Sequence, residues 1–280
     1  MIEASSVIYW RSKAPWGNDA QVEQDLILSR ALIDIFNHPD LADKLTFRGG
    51  TALQKLFYKN PTRYSEDIDL VQIAPGPIGP IFDGLREVLE PWLGKSNKNL
   101  GKGPATLLYR FQSAAPSAVN MKLKVEINTR EHFSIFDLKE VPFAVESPWY
   151  TGKTMIKTYE IEELLGTKLR ALFQRRKGRD LYDLAVALRQ LPIDVEKLIH
   201  CFKEYMNNMG LKVSRAQFEQ NLWLKKTSEP FRGDITPLLS IEKNQHNFNE
   251  DFDLVWQRII SKLPGEPWSN VEMVSELSNV

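Results

Sequence analysis

The amino-acid sequence predicts an α+β protein, with a mixed α/β first half and a helical second half. Three observations predict it. Apolar and polar residues alternate at 68–73 and 121–128, the period of a strand with one buried face, and 106–112 reads as a further strand. A Gly-Gly pair at 49–50 separates a short apolar run from a helix-like segment. From about Tyr159 onward the apolar residues recur at helical spacing instead.

The elements follow in order. Residues 19–37 read as a helix capped by Asn18 or Asp19, with Val22, Leu26, Ile27, Ala31, Leu32 and Ile35 as its apolar stripe, and His38-Pro39 ends it. Leu45 to Arg48 is a short strand running into Gly49-Gly50, and Thr51 to Tyr58 is helical. Ile68 to Ile73 is a second strand, which puts Asp67, Asp69 and Val71 on one face. Ile81 to Leu93 is an amphipathic helix, and Lys95 to Pro104, with its glycines, reads as a loop. In 121–128, Leu123, Val125 and Ile127 face one way and Lys122, Lys124, Glu126 and Asn128 the other. Val141 to Val145 is a further strand. Helices are expected at 160–176, 179–190, 194–208, 214–224 and 250–262. A boundary near 150 divides the chain into an α/β domain, 1–150, and a helical domain, 151–280.

Composition limits the functional classes. The 280 residues carry 36 Lys plus Arg against 36 Asp plus Glu, so net charge offers no argument for nucleic-acid binding, although a local patch stays open. There is no apolar run of membrane-spanning length and no secretory signal pattern, so no membrane partner is expected. Cys201 is the only cysteine, which excludes an internal disulfide and fits a cytoplasmic protein. The four histidines have no metal-ligand spacing, and the seven tryptophans read as packing residues. Among the charged residues beyond 240 acids dominate, with Glu242, Glu250, Asp251, Asp253, Glu266, Glu272 and Glu276 against Lys243, Arg258 and Lys262.

The chemistry-bearing residues cluster in four segments. Strand, Gly49-Gly50 and a helix start at Thr51 make a natural phosphate site, because glycines admit close backbone approach and a helix start offers free N–H groups. Arg63 and Ser65 flank the next segment as nucleotide-binding candidates. Asp67 and Asp69, two apart on one strand, can share Mg²⁺ or Mn²⁺ bound to triphosphate oxygens. Glu126, on the polar face of another strand, is the candidate third metal carboxylate, and Lys124 on the same face can balance charge or reach a phosphate. In the last segment Lys168 lies in the stripe Ile161, Leu165, Lys168, Leu172, where a cation needs an anion such as triphosphate. Asp180 and Asp183, one turn apart, can orient Lys168 or Arg179, and Arg175 joins the candidate nucleotide contacts, whereas Arg176 and Lys177 read as a solvated turn. The P-loop pattern is absent.

These stretches, FRGGTALQKLF, RYSEDIDL, KVEINTR and LLGTKLRALFQRRKGRDLYDL, span about 45–190 and resemble the AbiEii/MenT nucleotidyltransferase toxins of abortive-infection and toxin–antitoxin systems. The resemblance implies a polymerase-beta-like nucleotidyltransferase mixed-sheet core with a helical C-terminal domain. It implies transfer of nucleotides from an NTP to RNA, at the 3′ end of tRNA, with a block of translation and a cognate antitoxin as partner. It assigns metal to Asp67 and Asp69, nucleotide contact to Lys168, and the acid of the last motif to Asp183, with Asp180 competing. Transfer to a protein hydroxyl and a non-catalytic nucleotide-binding regulator are the alternatives. RNA is expected to lie across the two halves, on the basic segment 168–179 and on Lys203, Lys212, Arg215, Lys225 and Lys226 of the helical half.

Overall fold

The computed structural model describes residues 2–101, 103–114, 119–240 and 246–269. Among them are helices α1 (Ala4–Trp10), α2 (Asp19–Asn37), α3 (Pro39–Lys44), α4 (Gly49–Ala52), α5 (Gly79–Leu93), α6 (Ile161–Gln174), α7 (Gly178–Gln190), α8 (Val195–Asn208), α9 (Arg215–Lys226), α10 (Glu229–Arg232) and α11 (Phe248–Arg258). The strands are β1 (Leu45–Arg48), β2 (Asp67–Gln72), β3 (Ser96–Asn99), β4 (Ala105–Gln112), β5 (Asn120–Asn128), β6 (Lys139–Glu146) and β7 (Thr151–Thr158). They form one mixed sheet in the order β3-β4-β5-β2-β1-β7-β6. β2 runs parallel to β5 and antiparallel to β1. The expected α+β class is therefore the one observed.

Two compact units divide the chain, one from residues 2–164 with 238–240, the other from 165–237 with 246–269. The first runs past the boundary read at 150. The reason is β7, which pairs along its whole length with β6 and meets β1 at Phe47 and Thr158. Its pattern Thr-Gly-Lys-Thr-Met-Ile-Lys-Thr is too polar to announce a strand. The expected loop at 95–104 likewise contains β3, a polar edge strand held by pairing with β4. The expected helix at 51–58 starts earlier, at Gly49, and widens into a π-helical turn at Leu53–Phe57.

α2 packs over the sheet and is buried on nearly every side. Asn18 caps it by accepting from Gln21 N. Beyond the expected stripe it buries Glu23, Gln24, Asp25 and Ser29, and each polar group has a partner, as burial demands. Glu23 accepts from Ala114 N at 2.9 Å. Gln24 Nε2 donates to Lys122 O at 2.9 Å and reaches Glu66 O at 3.5 Å, which ties the start of β2 to β5. Asp25 accepts from Trp10 Nε1, Trp16 Nε1 and Lys55 Nζ at 2.7, 3.1 and 2.7 Å. Trp10 and Trp16 thus serve packing and hydrogen bonding.

The second unit is helical among its described residues. At Gly166 of α6 an added Cβ would stand 2.6 Å from Cys201 Cβ of α8, so only glycine permits this approach. Asp194 caps α8, Ser214 with Gln217 makes a capping box on α9, and Asn247 caps α11.

Candidate active site

The polar face of β5 and the first residues of β2 build the site. Leu123, Val125 and Ile127 of β5 are fully buried, which forces Lys124, Glu126 and Asn128 onto the opposite face. Parallel pairing sets Asp67 beside Lys124 and Asp69 beside Glu126, and antiparallel pairing sets Arg48 beside Asp69. Three carboxylates from two neighbouring strands therefore share one half-exposed face.

Lys124 Nζ stands 3.1 Å from Asp67 Oδ2 and 3.3 Å from Glu126 Oε2. Partial burial pulls its pKa down, but the two carboxylates outweigh that and hold the ammonium above its ordinary value. Among the described residues no three Asp, Glu, His or Cys side chains converge closely enough to hold a metal ion. Here the ammonium of Lys124 takes the place between Asp67 and Glu126 that a cation would take. The donor set itself, hard carboxylate oxygens on one face, fits Mg²⁺ or Mn²⁺ in kind.

The Gly-Gly turn abuts these carboxylates. Gly49 has φ +84°, and a Cβ there would meet Asp69 Cγ at 2.9 Å and Asp69 Cβ at 3.0 Å. Glycine is required for both reasons. The buried Thr51 hydroxyl donates to Asp67 O at 2.6 Å and lies 2.8 Å from Ser65 Oγ, which locks the turn to the start of β2. Arg63 is buried, donates to Tyr64 O at 3.0 Å, and stays in the interior instead of joining the carboxylate face.

A cavity of about 230 Å³ opens beside Asp69 and Glu126, lined also by Arg48, Asn128, Thr129 and Arg130. Arg48 Nη1 is 2.7 Å from Glu131 Oε2, and this carboxylate holds the guanidinium above its ordinary value although burial opposes it. Asn128 Oδ1 accepts from Arg130 N and Glu131 N, shaping the turn that carries both. Arg48, Asn128 and Arg130 escaped the sequence reading, although alternation from Glu126 places Asn128 on the same face and Arg48 adjoins the glycines.

In the second unit Lys168 is 7% exposed, and its anions are its own helical neighbours. Its Nζ lies 3.3 Å from Asp180 Oδ1 and 2.8 Å from Asp183 Oδ2, both fully buried. Arg175 grips Asp180 with two bonds, of 2.7 and 2.8 Å. Burial raises the Asp180 pKa, yet Lys168 and Arg175 overcome this and hold it below the usual carboxylate range. The cost of burying Lys168 is thus met by protein carboxylates, without triphosphate. Arg179 N donates to Asp234 Oδ2 at 3.2 Å, and Lys177 pairs with Asp234 at 3.2 Å.

The basic residues expected to meet RNA on this unit are mostly engaged elsewhere. Lys225 is buried and donates to Leu172 O and Phe173 O at the end of α6. Arg215 pairs with the buried Glu219 at 2.7 Å, and Lys226 lies over the rings of Trp223 and Phe252. Of the acidic residues read beyond 240, Asp251 is buried against Arg189, while Glu242, Glu272 and Glu276 lie outside the described residues.

A family model described as nucleotidyl transferase AbiEii toxin, type IV TA system, matches residues 30–269. No curated protein matches by sequence. Among solved structures, MenT4, a nucleotidyltransferase toxin from Mycobacterium tuberculosis H37Rv, is 16% identical, with 98% of this chain and 97% of that chain covered and a TM-score of 0.61. That likeness concerns the fold. A candidate nucleotidyltransferase from H. pylori is 16% identical, with coverage of 89% and 100% and a TM-score of 0.49. An antigenic nucleotidyltransferase-like protein from Paracoccidioides brasiliensis is 14% identical, with coverage of 80% and 98% and a TM-score of 0.39. No helix among the described residues is long and apolar enough to cross a membrane.

Proposed function

Since the chain belongs to the AbiEii nucleotidyltransferase toxin family, we propose that it transfers nucleotides from an NTP to RNA, at the 3′ end of tRNA, in the cytoplasm, where a cognate antitoxin restrains it. The observation that carries this reading is the register that sets Asp69 beside Glu126, with Asp67 on the same face and Gly49 against Asp69. That arrangement joins a phosphate-sized backbone turn to a carboxylate group, which is what phosphoryl transfer requires.

Asp67, Asp69 and Glu126 are the residues that would hold Mg²⁺ or Mn²⁺. A bound divalent ion would lower the pKa of an attacking hydroxyl and offset charge on the triphosphate. The Gly49-Gly50-Thr51 backbone binds and orients the phosphates, and Thr51 with Ser65 keeps that turn in place against β2. With an ion held by Asp67 and Glu126, Lys124 would be released from these carboxylates and its charge would be available to a phosphate. The acceptor hydroxyl oxygen bonds to the α-phosphorus as its proton is lost to solvent, the bond from that phosphorus to the bridging oxygen breaks, and pyrophosphate leaves. Lys168 and Asp183 enter the proposal as the functional residues of the last family motif, with Arg175, Arg179 and Asp180 as their support.

The test is intact-mass analysis of a tRNA pool incubated with the protein, Mg²⁺ and each NTP in turn. Added nucleotide mass on tRNA is expected, and its absence with label on protein instead would favour a protein acceptor.

A further inference from the structure

We propose that Arg110 and Lys122 form a phosphate-binding subsite for the acceptor strand, on the β4–β5 face of the sheet. The inference rests on the reading that the acceptor is RNA, and it locates where that RNA docks.

Arg110 of β4 and Lys122 of β5 are direct cross-strand partners, and both are exposed. Like charges placed opposite each other destabilise a strand pair unless an anion separates them. Among the described residues neither cation forms an ion pair, in contrast to Lys124, which has Asp67 and Glu126. Both line an open cavity of about 800 Å³, together with Tyr64, Glu66 and Gln112. Glu66, the acid of that cavity, is reached by the Tyr64 hydroxyl at 3.4 Å. A polyanion fits this uncompensated pair.

The register places the pair relative to the chemistry. Arg110, Lys122, Lys124 and Glu126 share a sheet face, since the residues between them along each strand point to the core. Lys122 sits two residues before Lys124, the partner of Asp67. Strand geometry then puts its Cα about 8 Å from that of Asp67. The Gly49 turn lies on the other side of the carboxylates, because the sheet order is β4-β5-β2-β1. Donor phosphates at the turn and an acceptor strand on β4–β5 thus approach Asp67 and Asp69 from opposite sides, as in-line displacement needs.

The test compares the wild type with an Arg110→Ala/Lys122→Ala variant in transfer of labelled nucleotide to a tRNA pool, across a salt series. The expected result is a KM for RNA raised at least tenfold. The slope of log kcat/KM against log salt should fall by about 1.4, the loss of two phosphate contacts on a single strand at about 0.7 each. NTP binding, measured directly by equilibrium dialysis, should not change, and the melting temperature should not fall. An Arg110→Lys/Lys122→Arg variant should keep the wild-type slope. An unchanged KM and slope on an RNA that the wild type modifies would overturn the subsite alone. So would an equal loss of NTP binding. If the wild type modifies no RNA, the reading of the acceptor fails first, and the subsite falls with it.

Discussion

Gly49→Ala is expected to destabilise the protein, and Asp69 should decide by how much. Gly49 has φ +84°, where an L-residue with a Cβ costs about 1–2 kcal/mol. The added carbon would also meet Asp69 Cγ at 2.9 Å and Asp69 Cβ at 3.0 Å. The Asp69 Cβ is held by strand pairing on both sides, so it cannot yield freely. Crowding of this kind costs about 1–3 kcal/mol, which brings the total to about 2–5 kcal/mol. Asp69→Ala removes the carboxylate but leaves both the positive φ and the Cβ. In that background the clash with Cγ is gone, so Gly49→Ala should cost less than in the wild type, with about 1–2 kcal/mol of it from the backbone. The assay is urea unfolding of the wild type, both single variants and the double variant, followed by tryptophan fluorescence. Equal costs in the two backgrounds would refute the contact between the turn and the carboxylate. A cost in the wild-type background below about 0.5 kcal/mol, typical of an exposed surface site, would refute the backbone argument as well.

Asp67→Asn and Asp69→Asn should each abolish nucleotide transfer while the protein still unfolds cooperatively. Transfer near the wild-type rate by either variant, with Mg²⁺ present, would remove these residues from the site. Lys168→Ala should lower stability by about 3–5 kcal/mol, because it removes the buried cation that the two interior carboxylates Asp180 and Asp183 share, whereas Lys177→Ala should change it by less than about 0.5 kcal/mol. Denaturant titration checks both, and equal effects would show that Lys168 is not the keystone of that group. Lys225 provides a pH dependence. Burial lowers its pKa from 10.5 to about 8, with the Arg176 charge adding to the effect. Between these two values the unfolded chain binds the proton and the folded protein does not, so this group makes stability rise with pH from about 8 to 10.5. Lys225→Met should flatten the rise, and an identical pH profile would contradict the assignment. Asp25→Ala should both destabilise the protein and shift its tryptophan emission, since Trp10 and Trp16 lose their shared acceptor.

Much of the framework was legible. The helix at 19–37 matches α2 at both ends, because Asn18 and His38-Pro39 are local signals that act on the backbone directly. β2 and β5 were legible from alternation and β1 as a short run ahead of the two glycines, and β5 keeps its predicted faces. β3 and β7 were not, since both are polar strands held by neighbours far along the chain. The buried polar row Glu23-Gln24-Asp25 lies outside the apolar stripe that the sequence shows for α2. Its partners lie at Ala114, Lys122, Trp10 and Lys55, and no local pattern announces them.

The chemistry-bearing residue types, their order and the family they signal were determined by the sequence alone, because motifs and helix caps depend on neighbours a few residues apart. What those charges meet was decided only by the tertiary structure. Lys168 needed an anion by the logic of its stripe, but that the anions are Asp180 and Asp183 follows from the packing of α7 against α6. Lys225 and Lys122 look alike as letters, each a lysine next to a leucine. One is buried at the end of α6 and the other stands exposed opposite Arg110. Burial and partner choice depend on which distant segments pack together, and the energy of a charge depends on both far more than on its neighbours in the chain.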